Sequence, residues 1–420
     1  MSAWLLLAHL DHGADTALTT AIYSLGFIAL TSLAIVFFGF KRLPLIMLIM
    51  PATFLIWLSL GLFGPWPQAQ AEVQALAAAA AIVITGNIIG RRFATLSTAW
   101  TSLILSLLIL SCLAFYAHFA GISAPVHENP TSFDSRLSAG FGSPNTAATL
   151  FAMSIILAWS HVFVRVQDLH LNRLTLSNRI QWLAQKELGS FALAVLAIAC
   201  LILTRSRAGI LIGLSFMVLL ISIELYRSVR HGRFKFLKRR SIHLSLIFAA
   251  LLFIVVAILG GLNPQHMTSL DSEVSGRLAI FNYYWGLWHE EPYFGHGLGS
   301  FNRLNDEQMT LHTAAGTVRN GAAHNMVLQW LIQQGVVGLL LMGAILGSLL
   351  VPVFRALNVR ASLPRHFLRA TLIITGIVFV HGMGDYAMEI PSVMWTYAFI
   401  IGLASGYAKY IIDSAQPKHE

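Results

Sequence analysis

The stretch LGSFALAVLAIACLILTRSRAGILIGLSFMVLLISIELY, residues 188–226, contains two apolar runs, 188–204 and 208–226, separated by a very short polar turn. Each run approaches or matches the roughly 17 to 25 residues that an α-helix needs to cross the hydrocarbon core of a bilayer. The stretch therefore predicts a transmembrane helical hairpin. Apolar runs of the same kind divide the rest of the chain.

The composition agrees with a membrane protein. Of 420 residues, 56% are hydrophobic and 11% are charged, and the mean hydropathy is +0.71, whereas a soluble domain has about 25% charged residues. We predict an all-α, polytopic transmembrane helical bundle of eleven or twelve spans. The eleven spans that can be read directly are 17–40, 43–63, 73–90, 97–120, 144–166, 188–204, 208–226, 242–262, 334–354, 370–390 and 391–411.

The spans predict three parts and an orientation. Residues 1–262 form eight spans with short loops, 263–323 form one large periplasmic loop, and 324–420 form the C-terminal spans. With the N-terminus outside, all but six of the 27 Lys and Arg residues fall on the inner side, as the positive-inside rule requires. The basic pI is therefore explained by the cations of the inner loops, and we expect no nucleic-acid partner. Cys112 and Cys200 lie inside spans, so we expect neither a disulfide framework nor a thiolate metal site. No His or Cys pair has metal-ligand spacing, so no metal is expected, and we expect no other cofactor.

The six outward cations are all arginine, and none is lysine. Arginine grips phosphate bidentately with its planar fork, whereas lysine is a point charge. Anchoring to lipid headgroups is the ordinary role of an isolated interfacial arginine, but the RSR turn between two spans favours a functional pair. We therefore predict phosphate binding on the outer face. The six residues are Arg136, Arg205, Arg207, Arg277, Arg303 and Arg319.

The large outer loop carries an aromatic segment that begins after Arg277 and ends in the glycine-rich sequence GHGLGSF, residues 295–301. Its Trp and Tyr residues are typical of an amphipathic helix lying at the membrane interface. The glycines present backbone N–H groups to an anion or, more simply, form a tight turn. The segment is therefore predicted to lie close to the outer surface of the membrane.

Two polar patterns stand beside this loop. After His324, the residues Asn325, Gln329 and Gln333 recur every fourth position, so they form a polar stripe that must face protein or a water-filled cavity. His324 is then a candidate base at the mouth of the stripe. A second pattern of the same spacing, His381, Asp385 and Glu389, either orients a substrate sugar or satisfies itself internally.

The sequence resembles the O-antigen ligase and polymerase superfamily of bacterial inner-membrane glycan transferases. The resemblance covers about 135–345 and rests on RLSAGFGSPN, TRSRAGILIGL, SGRLAIFNYYW followed by PYFGHGLGSF, and AHNMVLQWLIQQGVVGL. It implies twelve spans and transfer of a glycan from a polyprenyl diphosphate carrier to an acceptor sugar hydroxyl at the periplasmic face. It also implies that Arg207 and Arg277 hold the diphosphate and that His324 activates the acceptor.

The resemblance leaves the acceptor open. Lipid A core would make the protein a ligase, which we favour slightly, and a growing polysaccharide would make it a polymerase. Arg205, Arg136, Arg303, Arg319, Asn325, His381 and Asp385 are further candidate substrate contacts. A transporter of anionic solutes or lipids is the alternative of a different class. It would place polar residues near the midplane of several spans, whereas here the ionisable residues lie near span ends.

Overall fold

The computed structural model describes residues 1–38, 67–121, 136–168, 187–230, 278–308, 321–359 and 363–416. Within these ranges the chain is helical and contains no β-strand. The helices are α1 (Ser2–Leu10), α2 (Ala17–Phe38), α3 (Pro67–Gly90), α4 (Phe93–Phe119), α5 (Pro144–Asp168), α6 (Leu188–Leu203), α7 (Arg207–Arg230), α8 (278–290), α9 (Phe301–Glu307), α10 (Met326–Asn358), α11 (His366–Gly382) and α12 (Pro391–Ser414).

The helices confirm the all-α polytopic fold. By length and composition α2, α3, α4, α5, α7 and α10 can each cross a membrane, while α6 and α11 are shorter apolar helices. Every described helix from α2 to α7 and from α10 to α12 overlaps a predicted span. Predicted spans 43–63 and 242–262 lie outside the described residues. The predicted boundary between spans 370–390 and 391–411 is confirmed, because Pro391 begins α12, although α11 already ends at Gly382.

The loops that were predicted to lie outside meet at one end of the bundle, which we call the site end. The amide of Leu137 donates to the carbonyl of Leu203 at 3.0 Å. The side chain of Asn325 donates to the carbonyl of Met383 at 3.1 Å. The hydroxyl of Thr149 in α5 and Nδ1 of His381 in α11, 2.6 Å apart, link the two pairs, so four distant parts of the sequence converge there.

The opposite end is held by a buried ion pair. Arg369 of α11 donates to Glu224 of α7 with an Nη2 to Oε2 distance of 2.8 Å, and Nδ1 of His366 lies 2.9 Å from the same carboxylate oxygen. Glu224 is fully buried. Removing one partner of such a pair leaves an uncompensated buried charge, which makes the pair a strong constraint on how α7 and α11 pack.

Helix α10 is broken at Gly335, where φ is 63°. The break leaves carbonyl and amide groups without helical partners, and inside a bilayer each such group must find a partner within the protein. Residues 292–297, here called the docking segment, supply them. The amides of His296 and Gly297 donate to the carbonyls of Ile332 and Gln333 at 2.8 and 2.9 Å. In return, the amides of Val336 and Val337 donate to carbonyls of the docking segment at 2.9 and 3.1 Å.

Gly335→Ala is expected to destabilise the protein. A Cβ at Gly335 would lie 2.2 Å from the carbonyl oxygen of Tyr293, and the left-handed backbone adds a cost of roughly 1–2 kcal/mol for a residue with a side chain. Thermal unfolding in detergent should show a lower Tm and a lower folded yield. Gly343→Ala in the same helix is the matched control, because among the described residues no atom beyond its own helix turn lies within 4 Å of the added Cβ. Equal Tm values for the two variants would show that the break at Gly335 does not need a glycine.

Candidate functional site

The turn between α6 and α7 presents two arginines at the site end. Arg205 and Arg207 are both exposed, whereas Thr204 and Ser206 are buried. The hydroxyl of Thr204 accepts from the amide of Ser206, and the hydroxyl of Ser206 accepts from the amide of Gly209, each at 3.2 Å. Hydroxyl caps of this kind satisfy the first amides of α7. The turn is therefore built from buried hydroxyls, which leave the two guanidinium groups directed outward.

The backbone of Arg205 is strained. Its φ is 50°, in the left-handed region that residues with a side chain rarely adopt. Glycine or asparagine would relieve the strain at a simple turn. Strained backbone of this kind clusters at functional sites, which supports a binding role for the turn.

Arg136 braces this turn from the segment before α5. Its Nε donates to the carbonyl of Thr204 at 2.9 Å, and its Nη2 donates to Oδ1 of Asn145 at 3.2 Å. Ser143 caps α5, because its hydroxyl accepts from the amide of Asn145 at 3.2 Å. The structure thus brings Arg136, Arg205 and Arg207 to one turn, with Arg136 fixing the backbone at its start.

His324 lies in the short segment before α10 and also has a left-handed backbone, with φ at 52°. Asn325 caps α10 by accepting from the amide of Leu328 at 3.0 Å, while its amide nitrogen binds the end of α11. The side-chain oxygen of Gln329 accepts from the amide of Ala323 at 2.7 Å. Contacts on both sides therefore hold the backbone of His324 in place.

The polar stripe of α10 faces protein. Below Asn325 and Gln329, the amide nitrogen of Gln333 donates to Oε1 of Glu72 in α3 at 3.1 Å. The other oxygen of Glu72 accepts from the amide of Gly299 at 3.0 Å. Of the two alternatives that the spacing left open, the structure selects packing against protein. Glu72, which sequence reasoning missed, ties the glycine-rich segment to α10.

His381, Asp385 and Glu389 do not share a helical face, because α11 ends at Gly382. His381 is buried and its Nδ1 lies 2.6 Å from the hydroxyl of Thr149 in α5. Asp385 is also buried, and Glu389 lies in a short 3₁₀ turn. Burial and the nearby carboxylates of Glu72 and Asp15 raise the pKa of Glu389 to about 8. The expectation of one continuous face was therefore wrong.

The outer loop is described in part. Arg277 and Arg319 lie outside the described residues. Arg303 in α9 pairs with Glu307 at 2.5 Å. Helix α8 is amphipathic as predicted, because Tyr284 and Leu287 are buried against α9 and α10 while Trp285 is 51% exposed.

An apolar cavity of about 240 Å³ lies among α3, α10, α11 and α12. Met326, Val327 and Trp330 line it, and they follow His324 directly in α10. Val378 and Met394 close its other side. The cavity therefore offers a hydrocarbon environment next to the segment that carries the candidate base.

Tyr386 is a further site residue that carried no sequence signal. Its ring centroid lies 4.9 Å from that of His324, with the two planes 80° apart. Among the described residues, no cluster of three or more His, Cys, Asp or Glu side chains is arranged to hold a metal ion. The site therefore combines outward guanidinium groups, which suit an anion, with an imidazole that can take up a proton.

The O-antigen ligase family matches residues 192–343, which run from α6 to the middle of α10 and include Arg205, Arg207, Arg277 and His324. No curated protein matches the chain. The matched region contains three of the four sequence stretches that carry the resemblance and the whole outer loop. The described helices are those of a multi-pass membrane protein, and residues 192–343 are similar to the O-antigen ligase family.

Proposed function

We propose that this protein transfers a glycan from a polyprenyl diphosphate carrier to an acceptor sugar hydroxyl at the periplasmic face of the bacterial inner membrane. The observation that carries the proposal is the α6–α7 turn, where Arg205 and Arg207 are exposed in a turn that Arg136 braces. His324 lies in the same family-matched region, at the start of α10. An anion site and a candidate base are what this reaction needs.

The arginines and His324 have different roles in the reaction. Arg207 and Arg277 hold the diphosphate, and Arg205 assists. When the acceptor oxygen attacks the anomeric carbon, the bond from that carbon to the diphosphate oxygen breaks, and the charge that develops on the diphosphate is neutralised by guanidinium groups. The proton of the acceptor hydroxyl passes to the imidazole of His324. The products are the extended acceptor and the polyprenyl diphosphate, and no redox partner is needed.

The apolar cavity supports a lipid-linked reaction. A polyprenyl carrier keeps its hydrocarbon chain in the membrane, so a transferase acting on it needs apolar surface next to a charged site. The cavity supplies this surface along α10, beginning two residues after His324. A transporter would instead line a path with polar groups, whereas the stripe residues Asn325, Gln329 and Gln333 each bind another part of the protein.

Reconstituted protein should decide between ligase, polymerase and transporter. The purified protein in lipid vesicles is given a polyprenyl diphosphate glycan, with lipid A core or with no second acceptor. We expect one shifted band that requires the core, as a ligase would give, whereas a ladder without core identifies a polymerase. Solute flux without glycan transfer would contradict the proposal. Protein carrying His324→Ala in the same vesicles separates enzymatic transfer from background.

A further inference from the structure

Tyr386 connects the two halves of the site. It lies between α11 and α12, and its ring stands nearly perpendicular to that of His324 at 4.9 Å. Its hydroxyl lies close enough to the side chain of Ser143 for the two to interact, and Ser143 caps α5 through the amide of Asn145. Asn145 in turn accepts from Arg136. A continuous set of contacts therefore leads from the candidate base to the arginine turn.

The phenol does not exchange protons with the substrate near neutral pH. Burial and the nearby carboxylates of Asp385 and Asp15 raise the pKa of Tyr386 to about 12. The phenol therefore stays protonated and neutral across the pH range in which a histidine titrates. A role as general base is thereby excluded, and what Tyr386 offers is a fixed ring and one directed hydroxyl.

We propose that Tyr386 is a positioning residue for His324. Its ring orients the imidazole, and its bond to Ser143 fixes the distance between His324 and the arginine turn. This inference rests on the proposed function. The centroid separation is also within the range of about 6 Å in which a ring stabilises a cation. When His324 takes up the acceptor proton it becomes an imidazolium, and the ring favours that charged form.

The hydroxyl bond is tested by a double-mutant cycle. Tyr386→Phe keeps the ring and loses the bond to Ser143, and Ser143→Ala removes the same bond from the other side. A single hydrogen bond corresponds to a change of about 2- to 12-fold, so we expect Tyr386→Phe to lower kcat by that factor with the KM for the donor unchanged. The double variant should be no slower than Ser143→Ala alone, because contacting residues are not additive. If the loss of kcat in the double variant equals the product of the losses in the two single variants, the inference is overturned.

The effect of the Tyr386 ring on His324 is tested by the dependence of kcat/KM on pH. Tyr386→Leu removes the π system beside His324, so the imidazolium loses stabilisation and the pKa of His324 falls. The acid limb of kcat/KM should therefore move to lower pH by about half a unit to one unit, while Tyr386→Phe leaves it in place. A merely structural tyrosine would lower the rate without moving the limb. An unmoved limb in Tyr386→Leu would overturn the inference.

Tyr407→Phe is the matched control. Its hydroxyl donates to the carbonyl of Pro364 at 2.8 Å, at the opposite end of α12 from Tyr386, so its loss should leave both kcat and the pH profile unchanged. Variants are compared only at equal folded fraction, judged by Tm. If His324→Ala stays active, the proposed function fails. If His324→Ala is inactive and Tyr386→Phe has the full rate of the unaltered protein, only this inference fails.

Discussion

His324→Ala should reduce glycan transfer by about 10²- to 10⁴-fold, the usual contribution of a positioned general base. The substitution removes the only group that we assign to proton removal, and it leaves the arginine turn intact. Donor binding should therefore be unchanged. Single-turnover transfer with labelled donor measures the rate, and binding of the same donor to detergent-solubilised protein measures the affinity.

A second histidine provides the control for this experiment. His289 lies on α8, is exposed, and has its Nδ1 2.8 Å from the carbonyl oxygen of Trp285. His289→Ala should keep the full transfer rate. Loss of donor affinity in His324→Ala, or a rate within a few-fold of the unaltered protein, would show that His324 is not the base.

Arg207→Lys should lower kcat/KM for the donor by about 10²- to 10³-fold, comparable with the loss of one preorganised charge-stabilising donor. Lysine keeps the positive charge but cannot present two parallel N–H groups to a phosphate. Arg207 is exposed at the first position of α7, where lysine is readily accommodated. The amount of folded protein should therefore not change, and the loss should appear in donor kinetics.

Arg92→Lys serves as the matched control for the arginine experiment. Arg92 is exposed at the start of α4, in a loop that the charge pattern assigns to the other side of the membrane. Its exchange for lysine should leave the kinetics unchanged. Full activity in Arg207→Lys would remove the bidentate grip from the mechanism, because charge alone would then suffice.

The helices and the arginine turn could be predicted from sequence because both depend on local properties. The hairpin 188–226 is set by apolar length, which hydropathy records directly. The prediction that Arg205 and Arg207 bind phosphate followed from charge sidedness, which is again a property of each loop. The structure adds the left-handed backbone of Arg205 and the brace from Arg136, and the brace depends on a contact between residues far apart in sequence.

The break in α10 could not be predicted in the same way. A glycine in an apolar helix is ordinary, and nothing local distinguishes Gly335 from Gly343. What makes Gly335 necessary is the docking segment, which lies about forty residues earlier and pairs with the open backbone groups. The stripe of α10 was likewise visible in the spacing, but its partner Glu72 lies in a helix far away in sequence.

The expectation that His381, Asp385 and Glu389 share one helical face was wrong for a physical reason that the sequence did contain. Regular spacing places residues on one face only while the helix continues, and the segment HGMGDY carries two glycines that weaken it. The helix stops at Gly382. The polar residues after it then fold into the turn that brings Tyr386 beside His324.

The break at Gly335 has a consequence for the order in which the protein is made. Residues 292–297 leave the ribosome before Gly335 does, so the partner for the broken helix already exists when α10 emerges. The broken form of α10 is compatible with hydrocarbon only when these residues pair with its open backbone groups. The docking segment and α10 are therefore one structural unit, and we expect a chimeric protein that exchanges one without the other to fold less well.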